Sequence, residues 1–379
     1  MMLSRSDRSS LSIWLWTIDK WIFFSFLTLL LLGIIFILTS SSTLELKLNK
    51  DNYYFSIKHT IFVIFGFLAA IILSKLNFDK IKLLSLISFV FLLTALVYCI
   101  HYGSEIKGAK RWIEVFGQTL QPSEFIKPFF IIINAWVLTI WKSTQRKKFL
   151  LLSVFSIIFI DIMLLMQPDL GMTLLMTTIW IFQLIITGIP ILFFIFLIFI
   201  IPTVILFAYN FYSHVYIRIN DFIFGTNFQA NQALKLFNDA GYFGKGIGEG
   251  SLKNNLPDAH TDFIFSVIAE ELGIIVCFII ILIYAIIILR PIIIAFNCKN
   301  IFQILSLSSL SALIGVQSLI HISSNLSLIP TKGMTLPLLS YGGSSTISAA
   351  IVIGFLLSLT RRQIDFSELS LDIENLNVH

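Results

Sequence analysis

Residues 256–271 concentrate ionisable side chains in a chain that is otherwise largely apolar. They include four carboxylates and one imidazole, from Asp258, His260, Asp262, Glu270 and Glu271. Charged groups are costly to hold at a membrane surface or inside a membrane, so a cluster of them at one depth suggests a function. The cluster lies where the polar stretch 212–261 runs into a long apolar segment. We therefore expect the chemistry of the protein at this junction.

The apolar segment predicts a helix with one small, polar stripe. On a helix, Ser266, Ala269 and Gly273 each fall within about 40° of Asp262. Because the other faces carry Phe, Ile, Val and Leu, this stripe is expected to face the protein interior or a wet cavity. By the helical rise, Glu270 would lie about 12 Å below Asp262, too deep for a solvated surface charge.

The position of Asp262 also has a purely structural interpretation. Asp262, or the preceding Thr261, could simply cap the N-terminus of the helix. Capping alone leaves His260 and the two glutamates Glu270 and Glu271 without a role.

Composition indicates that lipid is the solvent for most of this chain. Of 379 residues, 57% are hydrophobic and 12% are charged, and there are 37 Phe residues. No soluble domain of this length buries so much apolar surface. The sequence pI is about 9.0, but the cations are spread over loop ends, so we expect no nucleic-acid partner. The three cysteines show neither metal-ligand spacing nor a disulfide framework.

Ten apolar stretches predict an all-α integral membrane protein with about ten transmembrane helices. They cover approximately 21–41, 55–75, 81–101, 123–142, 149–166, 171–189, 190–211, 262–289, 302–323 and 345–360. Lys and Arg cluster in the short loops and tails of one side, which the positive-inside rule places in the cytoplasm. Both termini are then cytoplasmic, and the largest outer loop, 212–261, joins helices 7 and 8.

The same pattern predicts three parts of the chain. Residues 1–20 form a cytoplasmic segment that leads into an uncleaved first span. Residues 21–360 form the membrane domain, and 361–379 form a polar, disordered cytoplasmic tail.

Further polar residues lie near predicted span ends. Lys110 and Arg111, beside a tryptophan, are typical of an interfacial anchor that meets lipid phosphates. Lys127 lies three residues after Glu124, so the two side chains can pair inside the bundle. Asp169 is placed to cap the sixth span.

Two other features need separate explanations. Asp161 is a lone carboxylate within the fifth span, and we expect it to be protonated or matched to a cation from another helix. The glycine-rich stretch 241–250 has no preceding strand and no Ser or Thr after Lys245. It therefore fits a tightly turned or flexible loop near lipid headgroups, and not a nucleotide-binding motif.

Taken together, these motifs resemble the SEDS family (shape, elongation, division and sporulation) of bacterial ten-helix membrane proteins over nearly the whole chain. The resemblance rests on six segments in order: Gly108–Trp112, Gln121–Glu124, Gln167–Gly171, Gly244–Gly250, Pro257–Phe265 and Pro337–Ser345. The stretch Leu328–Pro337 looks like the division members of the family. One departure is Lys253-Asn-Asn255, where several division members carry an acidic residue.

The resemblance implies a peptidoglycan glycosyltransferase that polymerises lipid II at the outer face of the cytoplasmic membrane during septal wall synthesis. Asp262 matches the aspartate regarded as catalytic in the family, and it is the candidate general base. The candidate substrate-binding residues are Lys332, Arg111, Lys110, His260, Glu270 and Ser344, of which the three cations could clamp a diphosphate.

Partners implied by the resemblance are lipid II, a single-span class B penicillin-binding transpeptidase and other proteins of the division complex. A divalent cation (Mg²⁺ or Mn²⁺) could assist, although no motif specifies one. Two alternative functions remain open at this point. One is a lipid II flippase, with Asp161, Lys127 and Glu270 along its route. The other is a division scaffold without chemistry of its own.

Overall fold

The computed structural model describes residues 10–41, 45, 50–51, 53–106, 109–115, 117–189, 203, 206, 209–211, 213–331 and 333–361. Its helices are α1 Ser10–Thr17, α2 Lys20–Ser40, α3 Tyr54–Ser74, α4 Phe78–Tyr102, α5 Pro122–Thr144, α6 Lys147–Met166, α7 Leu170–Thr187, α8 Ser213–Ile223, α9 Phe228–Ala240, α10 Ile264–Phe296, α11 Ile301–Asn325 and α12 Gly343–Thr360. A 3₁₀ turn covers Leu252–Asn255, and three strands are β1 Ser104–Ile106, β2 Ala109–Val115 and β3 Gln118–Leu120.

Within the described ranges, nine helices are long and apolar enough to cross a membrane, namely α2–α7 and α10–α12. They correspond to nine of the ten predicted spans. The seventh predicted span, 190–211, lies almost wholly outside the described residues. The prediction of a helical, multi-pass membrane fold is confirmed, while the orientation of the loops and termini stays a prediction.

Helices α11 and α12 form the buried centre of the bundle, and small residues let α12 approach α3 closely. A Cβ added to Gly66 would lie 3.1 Å from the Cβ of Ala350, and one added to Gly354 would lie 2.9 Å from the Cα of Ala70. Small residues are common where membrane helices pack, because dispersion contacts between close backbones replace the hydrophobic drive that lipid cannot supply. The position of α12 is thereby fixed against α3.

A small antiparallel sheet, with strand order β1-β2-β3, lies between α4 and α5. The sequence does not predict this sheet, because its strands are short and no apolar alternation marks them. Strand β2 pairs with β1 at Glu105–Lys110 and with β3 at Ile113–Leu120. Because Arg111 lies in β2, the sheet fixes the direction in which its side chain points from the backbone.

Helix α10 is broken at Gly273, which has φ of 82° and ψ of 173°. The loop after α9 fills the break. Ile274 N–H donates to the Gly241 carbonyl at 3.2 Å, and Lys245 N–H donates to the Glu270 carbonyl at 2.9 Å. Backbone groups freed by the break are thus paired with the loop, as a buried chain requires. The expectation of one continuous helix from Asp262 through Gly273 is therefore wrong.

Candidate functional site

Asp262 lies in a turn just before α10, and it is not the N-cap residue of the helix. The helix begins at Ile264 with Phe263 as its N-cap, and the Phe263 side chain makes no capping bond. The Thr261 hydroxyl donates to the Asp258 carbonyl at 3.1 Å, so Thr261 closes the turn. Neither residue of the capping alternative, Asp262 or Thr261, occupies the N-cap position.

The carboxylate of Asp262 is half-buried and faces the segment between α11 and α12. Gly333 in that segment has φ of 61°, and a Cβ added there would lie 3.1 Å from Asp262 Oδ2. Glycine is suited to this position because it adopts positive φ and leaves room beside the carboxylate. Lys332 precedes Gly333 in the chain and lies outside the described residues.

The backbone around Asp262 is held by hydrogen bonds from residues that lie far away in the sequence. The carbonyls of His260, Thr261 and Asp262 accept hydrogen bonds from the Tyr341 N–H at 2.9 Å, the Ser340 hydroxyl at 2.7 Å and the Asn325 side-chain amide at 2.9 Å. All three donors lie at the C-terminal end of α11 or between α11 and α12. Tertiary contacts, and not the adjoining helix α10, therefore fix the position of Asp262.

The predicted ligand His260 is almost fully buried in an aromatic cluster. The centroid of its ring lies 5.3 Å from the ring centroids of both Phe55 and Tyr341. Burial also raises the pKa of the Tyr341 phenol to about 12, so this hydroxyl stays protonated at neutral pH. His260 thus packs against Phe55 and Tyr341, two residues before Asp262 in the chain. Its role as a substrate ligand stays a prediction.

Glu270 and Glu271 hold the large loop. Both carboxylate oxygens of Glu270 accept backbone N–H groups, from Leu252 at 2.8 Å and Lys253 at 3.0 Å. Glu271 forms a buried ion pair with the Lys253 ammonium, which also donates to the Thr39 carbonyl at 3.0 Å. Glu270 is fully buried, so its acceptor oxygens are used inside the protein. In the structure, Glu270 holds the backbone of the loop, and its role as a substrate ligand stays a prediction.

The predicted pair of Glu124 and Lys127 is formed. Lys127 Nζ lies 2.7 Å from Glu124 Oε2 and 3.1 Å from the side-chain oxygen of Gln317, and it is almost completely buried. Gln317 in turn donates to the Thr335 carbonyl at 3.1 Å. This chain of contacts connects α5, through α11, to the segment that faces Asp262.

Ser344, another predicted ligand, lies in the first turn of α12. Its hydroxyl accepts the backbone N–H of Gln121 at 2.8 Å and so joins the start of α12 to the start of α5. That contact is structural, and a substrate contact by Ser344 stays a prediction.

Arg111 and Lys110 differ sharply in their surroundings. Arg111 donates to the carbonyls of Gln167 and Pro168, and its Nη1 lies 3.6 Å from Asp169 Oδ2. Lys110 is exposed to solvent. Of these two predicted diphosphate ligands, Arg111 is engaged by the turn between α6 and α7, and Lys110 projects outward.

Asp169 caps α7, as predicted. Its side chain accepts the backbone N–H of Met172 at 3.2 Å. Burial raises the pKa of the Asp169 carboxyl, and the guanidinium of Arg111 opposes that rise. The ion pair with Arg111 was not predicted, because the two residues are far apart in sequence.

The sequence model of the FtsW/RodA/SpoVE family, described as cell cycle protein, matches residues 20–364 of this chain. The chain is a SEDS protein. It is 32% identical to a Caulobacter vibrioides protein named "probable peptidoglycan glycosyltransferase FtsW", with 95% of this chain and 93% of that protein aligned. A Francisella salina protein of the same name is 33% identical, with 90% of this chain and 88% of that protein aligned.

Solved structures share the fold of this SEDS protein. A chain from a study of the structural coordination of polymerization and crosslinking by a peptidoglycan synthase complex superposes with a TM-score of 0.75 at 22% identity, covering 90% of this chain and 97% of that chain. The Thermus thermophilus rod shape determining protein RodA superposes with a TM-score of 0.64 at 23% identity, covering 92% of this chain and 98% of that chain. At these identities the likeness concerns the fold alone.

Asp161 and the predicted metal ion remain to be described. Asp161 accepts the Thr177 hydroxyl at 2.8 Å, so the partner on the neighbouring helix is a hydroxyl and not a cation, and the alternative of a protonated carboxyl stays a prediction. Among the residues that the structure describes, no group of three or more His, Cys, Asp or Glu side chains could hold a metal ion. A divalent cation therefore stays a prediction.

The residues that hold the turn carrying Asp262 in place could not be predicted from the sequence. Asn325 and Ser340 are neutral side chains in segments where Ser and Asn are frequent, so nothing in their spacing distinguishes them. Lys253 was noted only because it stands where several division members carry an acidic residue. Its burial beside Glu271 depends on the break in α10, which the apolar pattern does not reveal.

Proposed function

We propose that this SEDS protein is a peptidoglycan glycosyltransferase that polymerises lipid II at the outer face of the cytoplasmic membrane. The observation that carries the proposal is the position of Asp262. Its carboxylate is half-buried at the end of a transmembrane bundle and faces a glycine-containing segment. Relatives aligned over most of the chain are named probable peptidoglycan glycosyltransferases, which favours this activity over others.

The reaction joins two lipid-linked sugar units. A sugar 4-hydroxyl attacks the anomeric carbon of the growing strand, the new glycosidic bond forms, and the bond to undecaprenyl diphosphate breaks. The hydroxyl proton passes to Asp262, which acts as the general base. A single displacement converts the α-linked donor into a β-linked product, so one base suffices and no covalent sugar–enzyme intermediate forms.

The other carboxylates of 256–271 fit the role of base less well. Glu270 and Glu271 are buried and use their oxygens on the loop and on Lys253. Asp258 is half-buried, as Asp262 is, so exposure alone does not separate the two. We favour Asp262 because Gly333 lies beside its Oδ2 and because it matches the aspartate that the family resemblance implies is catalytic. Asp262 is therefore the carboxylate that we assign to the hydroxyl proton.

The departing diphosphate needs positive charge near Asp262. Lys332 is the first candidate, since its neighbour Gly333 lies beside Asp262 Oδ2. Lys110 is the second, because its side chain is exposed. Arg111 already binds two carbonyls and Asp169, so we assign it the task of holding the sheet in place. A Mg²⁺ or Mn²⁺ ion could share the diphosphate charge, but no step above depends on one.

We further propose a partner and a location. A related fold occurs in a complex described as coordinating polymerization and crosslinking, which supports a partnership with a single-span class B penicillin-binding transpeptidase. The description of the family as a cell cycle protein, and the likeness of Leu328–Pro337 to its division members, support enrichment at the division septum together with other proteins of the division complex.

A flippase receives less support from the contacts. Its predicted route residues are each engaged locally: Asp161 by Thr177, Lys127 by Glu124 and Gln317, and Glu270 by the loop backbone. A route for a charged headgroup would need such residues to face a common passage. A scaffold without chemistry does not explain why a carboxylate is held half-buried at this depth.

The test is a polymerisation assay with purified protein, lipid II and the partner transpeptidase. We expect wild-type protein to make glycan chains and Asp262→Asn to lower turnover by about 10²-fold or more, the usual scale of general-base catalysis. Asparagine keeps the size of the side chain but cannot take up the proton. Expression, thermal unfolding and binding of the transpeptidase serve as controls for folding. Near wild-type chain synthesis by folded, partner-bound Asp262→Asn would remove Asp262 from the mechanism.

A further inference from the structure

The turn that carries Asp262 has an unusual pattern of backbone pairing. Three consecutive carbonyls, those of His260, Thr261 and Asp262, accept donors from residues 63 to 81 positions away in the sequence. Carbonyls just before a helix often have no partner from that helix, and water can satisfy them when the turn is exposed. Here each is bound by a different group of the protein, so the turn has little freedom to shift.

Of the three donors, Asn325 is the one that binds the carbonyl of Asp262 itself. Its Nδ2 donates to the Asp262 carbonyl at 2.9 Å and to the His321 carbonyl at 2.8 Å. Its Oδ1 accepts the Ser266 N–H at 3.2 Å and the Ser266 hydroxyl at 2.8 Å. Asn325 has no exposed surface, so water does not compete for these bonds.

One planar amide therefore spans both sides of the turn. It holds Asp262 before the helix, it holds Ser266 in the first helical turn, and it is itself anchored on α11 by the His321 carbonyl. Ser340 adds a second link, since its hydroxyl donates to the Thr261 carbonyl at 2.7 Å and accepts the Leu336 N–H at 2.8 Å. Rotation of the turn about its own axis would break both links.

We propose that Asn325 is a positioning residue for the glycosyl transfer, with Ser340 in a supporting role. It does not touch the substrate. It holds the Asp262 backbone so that the carboxylate stays within reach of the acceptor hydroxyl, while Gly333 leaves space on the other side. This inference rests on the proposed role of Asp262 as the base. A displacement of about 1 Å at such a site can lower a rate by about 10²-fold.

A purely structural role predicts a different result. Any buried asparagine with several hydrogen bonds contributes to stability, and its loss lowers the amount of folded protein without changing the turnover of the folded fraction. Asn134 offers a matched control, because it is equally buried and binds Gln183 and Ser153, both at 2.6 Å. It lies in α5, on a different set of helices.

The experiment compares Asn325→Ala with Asn134→Ala in the full-length protein bound to its transpeptidase partner. We expect both variants to unfold at a lower temperature. Only Asn325→Ala should lose turnover, by roughly 10- to 100-fold, because the base is displaced. Its KM for lipid II should stay within about twofold, since no substrate contact is removed.

Ser266→Ala separates the two halves of the Asn325 contact. It removes the serine hydroxyl but leaves the amide on the Asp262 carbonyl, so turnover should change little. If Asn325→Ala does not accumulate, Ser340→Ala replaces it, with a smaller fall in turnover expected because one of the three carbonyl contacts is lost.

The possible failures can be told apart. If Asp262→Asn is inactive but Asn325→Ala and Ser340→Ala both turn over at the wild-type rate, the positioning role is wrong and the proposed function stands. If Asp262→Asn is fully active, the proposed function fails and this inference fails with it. An equal loss of turnover in Asn134→Ala would also overturn the positioning role, because the effect would then be one of stability.

Discussion

The two ends of the segment 258–273 carry carboxylates of the same chemical type but use them differently. At the N-terminal end, Asp262 keeps a half-buried carboxylate, and main-chain carbonyls make the contacts that hold the turn. At the C-terminal end, Glu270 and Glu271 are buried, and their carboxylates themselves make the contacts that hold the loop. The N-terminal end carries a partly exposed carboxylate, whereas the C-terminal end uses its charges for structure.

This difference shows how the roles of carboxylates within one cluster of a membrane protein can be distinguished. A buried carboxylate is tolerated only if hydrogen bonds and an opposite charge compensate for its lost hydration, and those partners occupy its oxygens. A group that must take up a proton from a substrate needs at least one accessible oxygen. Partial exposure, which Asp262 shares with Asp258, therefore separates these two carboxylates from Glu270 and Glu271.

The largest expected effect on stability comes from breaking the buried ion pair of Lys253 and Glu271. Lys253→Met leaves Glu271 as a buried, uncompensated charge and should lower the free energy of unfolding by about 3–5 kcal/mol. The matched control is Lys245→Met in the same loop. Lys245 pairs with Asp239, but both side chains are more than a third exposed, so its loss should cost less than about 1 kcal/mol.

Denaturant or thermal unfolding of the purified protein in detergent measures both substitutions. Equal stability of the two variants would mean that the Lys253–Glu271 pair does not hold the loop. The comparison between the two ends of the segment would then lose its physical basis.

A smaller effect is expected where the loop meets the break in α10. Gly244 has φ of 72°, and a Cβ there would lie 2.3 Å from the Glu271 carbonyl oxygen. Gly248 has φ of 84° with nothing within 4 Å, so alanine at either position carries similar backbone strain. Gly244→Ala should therefore be less stable than Gly248→Ala by about 1–3 kcal/mol, the usual cost of overpacking.

The same unfolding assay compares the two alanine variants. Because strain at positive φ is common to both, their difference isolates crowding against the backbone of α10. Similar stabilities would show that the loop can move away from the break without cost.

The smallest effect on stability is expected for Asp262→Asn, the substitution expected to lower turnover most. The turn is held by main-chain carbonyls, which the substitution leaves intact, so the free energy of unfolding should change by less than about 1 kcal/mol. Thermal unfolding measured beside the polymerisation assay checks this directly. A large loss of stability would place Asp262 among the structural carboxylates, with Glu270 and Glu271.

Much of the fold follows from residue types alone. In the part of the chain that the structure describes, nine apolar stretches form helices at the expected positions, since a chain in lipid must pair its backbone groups within each segment. The cap at Asp169 and the pair of Glu124 and Lys127 were also predictable, because both depend on contacts within one turn of helix. Local spacing is sufficient for local contacts.

The sequence could not predict the partners of the polar residues. The break at Gly273 depends on a loop about 30 residues earlier, and helical periodicity contains no information about that loop. Likewise, Arg111 was assigned to lipid or diphosphate from its neighbours in the chain, whereas its nitrogen atoms are bound by the turn 167–169.

The sequence by itself determined that this chain is a multi-pass membrane protein of the SEDS family and that Asp262 lies in its densest cluster of charge. Only the tertiary structure decided which of those charges remains accessible. The physical reason is that accessibility depends on partners from α11, the loop after α9 and the segment before α12, which lie far away in the sequence. Composition places charged groups at one depth, and packing determines which of them can meet a substrate.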